Sequence, residues 1–312
     1  MGTGSGPEAG PKQEGTMSML SHHIELNGKP YHYLGAGKAG APVMLFLHGF
    51  PEYSGAWVDL APRFARKYHC IAPDQRGYGQ SWAPADVADY HVTKLVGDLS
   101  ALLDHLGAKQ ATVVGHDWGA AVAYALAFMV PERVTQLVIL NGVHPVPFQR
   151  AMAAGGAQTA ASQYIHTLKR DGAEDWLAAN DFEKLQQLFA ANMDQSWLSG
   201  DRLEAYKTEW ARPGRVRGMV NWYRASPLKL GAPNEQIKDI PDIPVDRVRI
   251  RMPHLLIWGP NDRALLPEAT EGLEALCDDL TRVQVPGTDH WIIHQNPDAV
   301  EQIMQDWLKS RA

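Results

Sequence analysis

The sequence predicts an α/β protein: a mostly parallel sheet flanked by helices, with a block of helices inserted into it. Short, continuous apolar segments, typical of strands buried on both faces, alternate with segments of helical periodicity. The alternation lapses from about residue 144 to residue 248 and resumes with a strand candidate at His254. Because strand candidates stand on both sides of this gap, we expect one sheet with an insertion and not two consecutive domains.

Six strand candidates precede the gap. The first two are separated by Asn27 and Gly28, a hairpin signal. A leucine-lined helix is predicted around Leu95–Leu106, a second helix at Gly55–Lys67, and an alanine-rich third helix at Ala120–Val130. The six strand candidates are His22–Leu26, Pro30–Leu34, Val43–Leu47, His69–Ala72, Ala111–Val114 and Val134–Leu140.

The pattern after the gap repeats the order strand, helix, strand, helix. These elements are predicted at His254–Trp258, Pro267–Leu276, Arg282–Val285 and Asp298–Lys309. We therefore divide the chain into a core, residues 18–143 and 248–312, and a helical cap domain, residues 144–247. Residues 1–17 are rich in glycine, proline and charge, and we expect a disordered tail or a cloning remnant there.

Composition excludes several classes of protein. The 312 residues are 45% hydrophobic, enough for a sizeable core, and the formal charge of -6 offers no basic surface for nucleic acid or anionic lipid. Two cysteines are too few for a disulfide framework, so that we expect a cytoplasmic protein. The longest apolar runs fall far short of the roughly 20 residues of a membrane span.

The segment from Gly115 to Ala120, Gly-His-Asp-Trp-Gly-Ala, lies between a predicted buried strand and a predicted helix. A sharp turn here would raise Asp117 above the sheet edge, in the position where related turns usually place a serine nucleophile. Small residues around it allow the strand and the helix to pass closely. Asp117 is therefore a candidate carboxylate nucleophile, although an aspartate N-cap in a plain turn is the alternative.

Three other loops follow strands at the same predicted edge of the sheet. His48-Gly49-Phe50-Pro51 can direct the Phe50 N–H toward the nucleophile, where it would form an oxyanion hole with the N–H of Trp118. Asp262 and His290 follow the last two strands, in the order expected for an orienting acid and a general base.

Together these motifs resemble the α/β-hydrolase fold and, within it, the epoxide hydrolase family. Asp-x-Arg-Gly-x-Gly at Asp74–Gly79 matches as well and is expected to support the oxyanion loop. The resemblance implies covalent catalysis by Asp117, with water activated by His290 and Asp262. It implies no metal and no organic cofactor. The expected partners are a small-molecule epoxide and water, with no nucleic acid or membrane, and a homodimer is one option for the oligomeric state.

Two tyrosines of the inserted block strengthen this resemblance. Tyr223, in Asn-Trp-Tyr-Arg, and Tyr164, eight residues before a glycine, are similar to the family's lid tyrosines. A tyrosine phenol keeps its proton up to about pH 10 and can donate to an epoxide oxygen. For the substrate pocket we expect the following side chains: His48, Pro51, Trp57, Phe148, Met219 and Trp291.

Two alternatives remain open. Haloalkane and haloacetate dehalogenases resemble the same Asp117, His290 and Asp262 pattern, although dehalogenases commonly place the acid after the strand before the lid, where this chain has Asn141. A small-molecule receptor without activity on the same fold is an alternative of another class. The tyrosine pair favours the epoxide hydrolase.

Overall fold

A computed structural model describes residues 17–190 and 193–311. Its centre is an eight-stranded sheet in the order β1-β2-β4-β3-β5-β6-β7-β8, in which β3 to β8 run parallel and β1 and β2 pair antiparallel. The predicted fold class is confirmed. The strands are β1 (Leu20–Leu26), β2 (Lys29–Ala36), β3 (Val43–Leu47), β4 (His69–Pro73), β5 (Ala111–His116), β6 (Val134–Leu140), β7 (His254–Trp258) and β8 (Leu280–Gln284). Of the tail predicted at residues 1–17, all but Met17 lies outside the described residues.

Side chains of each buried strand alternate between two cores, one on each face of the sheet. Leu45 and Leu47 belong to one apolar cluster, whereas Met44 and Phe46 belong to the other. Helices α1 (Val92–His105), α2 (Trp118–Met129), α10 (Ile292–Gln295) and α11 (Pro297–Lys309) cover the sheet.

Two segments predicted as helices of the core form pairs of short 3-10 helices instead. Gly55–Lys67 contains two short 3-10 helices, Ser54–Trp57 and Ala61–Phe64, and Pro62 at the start of the second lacks the amide hydrogen that a continuous helix needs. Pro267–Leu276 is likewise split into two short turns, because Gly272 between them adopts a left-handed conformation, with φ +79°.

Residues 144–247, which we call the lid, contain helices and no strand among their described residues. The indole N–H of Trp210 donates to the carbonyl of Pro51 at 2.7 Å, and that of Trp222 donates to the carbonyl of Arg76 at 2.9 Å. The lid therefore lies over the loops that follow β3 and β4. Its helices are α3 (Pro145–Ala153), α4 (Ala157–Ala161), α5 (Tyr164–Lys169), α6 (Ala173–Ala190), α7 (Gly200–Trp210) and α8 (Arg215–Ala225), while α9 (Val245–Val248) begins in it and ends one residue beyond.

Over residues 17–190 and 193–311, no helix is both long enough and apolar enough to cross a membrane.

Candidate active site

Asp117 occupies the turn between β5 and α2, with φ +51° and ψ −120°. Residues other than glycine rarely adopt this backbone conformation, and strain of this kind is typical of functional turns. The close packing around the turn explains its small residues. A Cβ at Gly119 would overlap the carbonyl oxygen of Leu47, and one at Gly115 would press on the backbone of Ala120.

Of the two backbone amides predicted to form the oxyanion hole, that of Phe50 contacts the Asp117 carboxylate. The N–H of Phe50 donates to Asp117 Oδ1 at 2.7 Å. Trp118 is the first residue of α2, so that its N–H has no acceptor within the helix. The Trp118 N–H is therefore free of the helix, next in sequence to Asp117, and the oxyanion loop lies so close that a Cβ at Gly49 would overlap the Asp117 side chain.

His290 and Asp262 form a buried pair on the other side of Asp117, 3% and 2% exposed. His290 Nδ1 donates to Asp262 Oδ2 at 2.8 Å, and its Nε2 lies 3.6 Å from Asp117 Oδ2. The backbone N–H groups of Ala264 and Leu265 donate to Asp262 Oδ1. This hydrogen bonding fixes the ring with Nε2 toward Asp117.

The charges around His290 determine its protonation. Burial alone lowers the pKa of His290, but the carboxylates of Asp262 and Asp117 outweigh burial and raise that pKa to about 9. Burial likewise tends to raise the pKa of Asp262, but the charge of His290 and the donated hydrogen bonds hold it below its usual range. The imidazolium is therefore favoured at neutral pH while both carboxylates are ionised.

Asn141 is a site residue that sequence reasoning noticed without assigning a contact. It follows β6 with φ +36°, and its Nδ2 donates to Asp262 Oδ2 at 2.8 Å. Its Oδ1 accepts from the N–H of Gly259 at 2.7 Å, which ties the end of β6 to the loop that bears Asp262. Its position directly after β6, at the carboxyl edge of the sheet, is the sequence signal that indicates a place in the site.

Glu52 was missed, although it directly follows the oxyanion motif. The side chain is fully buried and accepts hydrogen bonds from His294 Nε2 at 2.7 Å and the Tyr206 hydroxyl at 2.9 Å. His116 Nδ1 lies 3.2 Å from it, and the other nitrogen of that ring donates to the carbonyl of His290 at 2.7 Å. Burial raises the pKa of Glu52, but its histidine partners outweigh burial and keep it below the usual range.

The two predicted tyrosines lie together in the lid. Their rings meet edge to face with centroids 6.2 Å apart. The Tyr223 ring also packs edge-on against the rings of Phe50, at 5.2 Å, and Trp118, at 5.0 Å. Burial and then the nearby Asp117 charge raise the pKa of Tyr164, and burial raises that of Tyr223, so that both phenols keep their protons.

Two cavities of unequal size meet at Asp117, Tyr164 and Tyr223. The large cavity, about 770 Å³, extends between the lid and α2 and is chiefly apolar. The small cavity, about 70 Å³, lies on the His290 side. A reacting group at Asp117 is therefore accessible from two sides, one far roomier than the other.

The predicted pocket residues divide into two groups. Phe148 lines the large cavity, and Pro51 and Trp291 line the small one. The other three line neither cavity. His48 accepts a hydrogen bond from the N–H of Gln75 behind the oxyanion loop. Trp57 packs on Phe46 in the opposite core, and Met219 is buried inside the lid. The pocket role predicted for His48, Trp57 and Met219 is therefore corrected.

Comparison with known proteins gives a consistent picture. A family model described as alpha/beta hydrolase fold matches residues 42–297. The AB hydrolase superfamily protein YfhM of Bacillus subtilis is 31% identical, covering 92% of this chain and 97% of that protein. Epoxide hydrolase 4 of Homo sapiens is 30% identical, covering 92% of this chain and 77% of the relative.

Solved structures agree. A structure described as one of novel epoxide hydrolases from metagenomes of hot environments is 35% identical, with a TM-score of 0.85, covering 94% of this chain and 99% of that one. The epoxide hydrolase of Bacillus megaterium in complex with an inhibitor is 28% identical, with a TM-score of 0.81, covering 92% of this chain and 100% of that one. With the family model and relatives at 30% identity over nearly the whole length, the chain belongs to the α/β hydrolase fold family, in its epoxide hydrolase branch.

Proposed function

We propose that this protein is an epoxide hydrolase that converts an epoxide to a vicinal diol through a covalent ester on Asp117. The observation that carries the proposal is the position of two protonated phenols, Tyr223 buried and Tyr164 partly buried, on the same cavities as a carboxylate that also faces a histidine and the Phe50 amide. Phenols at this place suit a substrate whose oxygen needs hydrogen bonds and a proton as its bond to carbon breaks.

In the first step, an Asp117 carboxylate oxygen attacks a ring carbon from the side opposite the epoxide oxygen. The C–O bond breaks, and its electron pair moves to the oxygen, which takes a proton from one of Tyr164 and Tyr223. The products are an ester of Asp117 and a tyrosinate, which the other phenol stabilises by hydrogen bonding.

In the second step, water attacks the carbonyl carbon of the ester and gives its proton to His290 Nε2. The N–H groups of Phe50 and Trp118 stabilise the oxyanion, each by about 3–4 kcal/mol when well aligned. Collapse breaks the ester C–O bond, and the diol oxygen leaves with the proton from His290. The proton released when Asp117 ionises again restores the tyrosinate, so that one water is consumed.

The change in charge at Asp117 links the two steps. While Asp117 is ionised, the pKa of His290 is about 9 and the ring holds a proton. Esterification removes the Asp117 charge, which lies 3.6 Å from Nε2 and helps to raise that pKa. We infer that alkylation itself lowers the pKa of His290, so that the ring releases its proton to solvent and can act as a base; it takes a proton back from solvent once Asp117 is ionised again.

A single turnover in ¹⁸O-labelled water tests this function. With excess enzyme, the first diol should contain no label, because its new oxygen comes from Asp117, and the label should appear in the Asp117 peptide. Label in the diol of the first turnover would contradict an ester mechanism. Halide release from halogenated alkanes or acetate, with no diol from any epoxide, would favour the dehalogenase alternative.

A further inference from the structure

Helix α8, which carries Tyr223, docks on the loop that follows β4. Three of its side chains donate hydrogen bonds to backbone carbonyls of that loop: Arg215 to Gly79, Asn221 to Ala85 and Trp222 to Arg76. The two backbones also touch, because a Cβ at Gly218 would overlap the carbonyl oxygen of Gly77. These contacts span about two turns of α8 and end at the residue before Tyr223.

Trp222, the residue before Tyr223, joins α8 to the core at three points. Its side chain is 2% exposed, and its N–H donates to the carbonyl of Arg76 at 2.9 Å. Its ring packs edge-on against the rings of Tyr78, at 5.4 Å, and Trp118, at 5.8 Å. Tyr223 packs edge-on against the same Trp118 ring, at 5.0 Å. Two successive residues of α8 thus contact the side chain that directly follows the nucleophile.

The acceptor of the Trp222 hydrogen bond belongs to a residue that is itself firmly held. The Arg76 guanidinium donates twice to the Asp98 carboxylate on α1, at 2.8 and 2.6 Å, and once to the carbonyl of Asp89, at 2.6 Å. It also lies over the ring of Trp82, 4.9 Å from the centroid. Arg76 and Asp98 are both buried, and a bidentate pair restricts geometry more than a single contact does. The loop therefore offers Trp222 an acceptor in a defined position.

We propose that Trp222 is a positioning residue for ring opening: its hydrogen bond to Arg76 sets the rotation of α8 and so places the Tyr223 hydroxyl at the epoxide oxygen. Side chains project outward from a helix axis, so that a small rotation of α8 moves the tip of Tyr223 further than it moves the backbone. A displacement of about 1 Å at a reacting group can cost on the order of 100-fold in rate. The inference rests on the proposed function, because it concerns the hydrogen bonding of the epoxide oxygen.

The test removes the hydrogen-bond donor of Trp222 and keeps the shape of its ring. Trp222 is replaced by benzothienylalanine, in which a sulfur atom stands in place of the indole N–H. Trp222 also lines the large cavity, so that this replacement leaves the cavity wall in place and KM should not change. The matched control is the same replacement at Trp307, whose N–H donates to Thr281 Oγ1 at 3.1 Å and which packs on the other face of the sheet.

Single-turnover quench experiments with styrene oxide measure alkylation and ester hydrolysis separately. The replacement at Trp222 should slow alkylation about tenfold and leave the rate of hydrolysis unchanged. Trp222→Phe, which also removes part of the ring, should slow alkylation further. The unchanged hydrolysis shows in the same sample that the core of the variant is folded. The replacement at Trp307 should change neither step.

A double-mutant cycle decides whether Trp222 acts through Tyr223. In the Tyr223→Phe variant, the replacement at Trp222 should have no further effect on alkylation, because the hydroxyl that it positions is gone. In the Tyr164→Phe variant, the same replacement should still slow alkylation about tenfold. Urea unfolding should show the same loss of stability from the Trp222 replacement in all three backgrounds, since the same hydrogen bond is lost.

The outcomes distinguish the inference from the proposed function. The positioning role is overturned if the replacement at Trp222 slows neither step, slows both equally, or still slows alkylation tenfold in the Tyr223→Phe variant. A Tyr223→Phe variant that alkylates Asp117 at the native rate would instead contradict the proposed role of the lid phenol, and the inference would fall with it. Slowed alkylation in Tyr223→Phe together with a native rate in the Trp222 replacement would overturn the inference alone.

Discussion

The core and the lid contribute different side chains to one site: the core contributes two carboxylates and a histidine, and the lid contributes two tyrosines. On the core, Asp117, Asp262 and His290 follow strands and are held by short hydrogen bonds, such as the 2.8 Å bond between the last two. On the lid, Tyr164 and Tyr223 are held chiefly by aromatic contacts between helices. In the proposed mechanism, the lid tyrosines assist ring opening by Asp117, whereas hydrolysis of the ester depends on core residues alone.

This division separates the two chemical steps by region. Substitution of a core residue of the site other than Asp117 should slow ester hydrolysis but not alkylation, so that the ester accumulates. A change on the lid should slow alkylation, so that no ester forms.

Replacing Asp262 by Asn removes the charge that orients His290 and should slow ester hydrolysis by about 10⁴-fold, as loss of an orienting carboxylate does in comparable triads. Alkylation of Asp117 should continue. Single-turnover quench experiments measure both steps. Asp278→Asn, on an exposed carboxylate before β8, is the control, and equal slowing of both steps by Asp262→Asn would contradict the division.

Replacing both Tyr164 and Tyr223 by Phe removes the proton donors and should slow alkylation by about 10³-fold, within the range of general acid catalysis. Each single variant should slow it less, because the other phenol remains. Burst-phase kinetics provide the readout. Tyr68→Phe, at the opposite edge of the sheet next to the start of β4, controls for loss of a hydroxyl, and undiminished diol formation by the double variant would remove the lid from the mechanism.

The pH dependence of the two steps should differ. In the free enzyme, the pKa of His290 is about 9, and it is lower in the ester because the charge of Asp117 is gone. Ester hydrolysis needs the neutral ring, so that its rate should rise about tenfold per pH unit up to a midpoint below 9 and then level off. Stopped-flow tryptophan fluorescence resolves the steps, and a hydrolysis midpoint at 9 or above would contradict the link between the two charges.

Asn141→Ala removes one of four hydrogen bonds to Asp262 and should slow hydrolysis by about tenfold while alkylation is little affected. Asn141→Asp should not restore the rate, since it places a second carboxylate against Asp262. Asn234→Ala, in an exposed loop, is the matched control. An equal loss of alkylation in Asn141→Ala would indicate a general disturbance of the site.

Much of the core part of the site could be predicted because the sheet topology determines where its residues lie. In a parallel sheet, the loops after successive strands meet at one edge, so that Asp117, Asp262 and His290 could be assigned from their places after β5, β7 and β8. The short 3-10 turns were mistaken for helices because apolar periodicity does not distinguish the two, and the local effect of Pro62 was overlooked.

The features of the site that the sequence did not predict depend on the directions of side chains in three dimensions. The contacts of Glu52 join residues 64 and 242 positions apart in the chain, to His116 and His294, and no local pattern encodes them. Trp57 was expected in the pocket, but its side chain is directed into the opposite core. The unequal cavities likewise result from lid helices whose packing angles a single sequence does not specify.

The most direct measurement of the division between core and lid is intact-mass spectrometry of His290→Gln after exposure to a turned-over epoxide. We predict a mass increase equal to that of the epoxide, located on the peptide that contains Asp117, and no such increase when Tyr164→Phe and Tyr223→Phe are added. Diol formation by His290→Gln without an adduct, or an adduct on another residue, would contradict it.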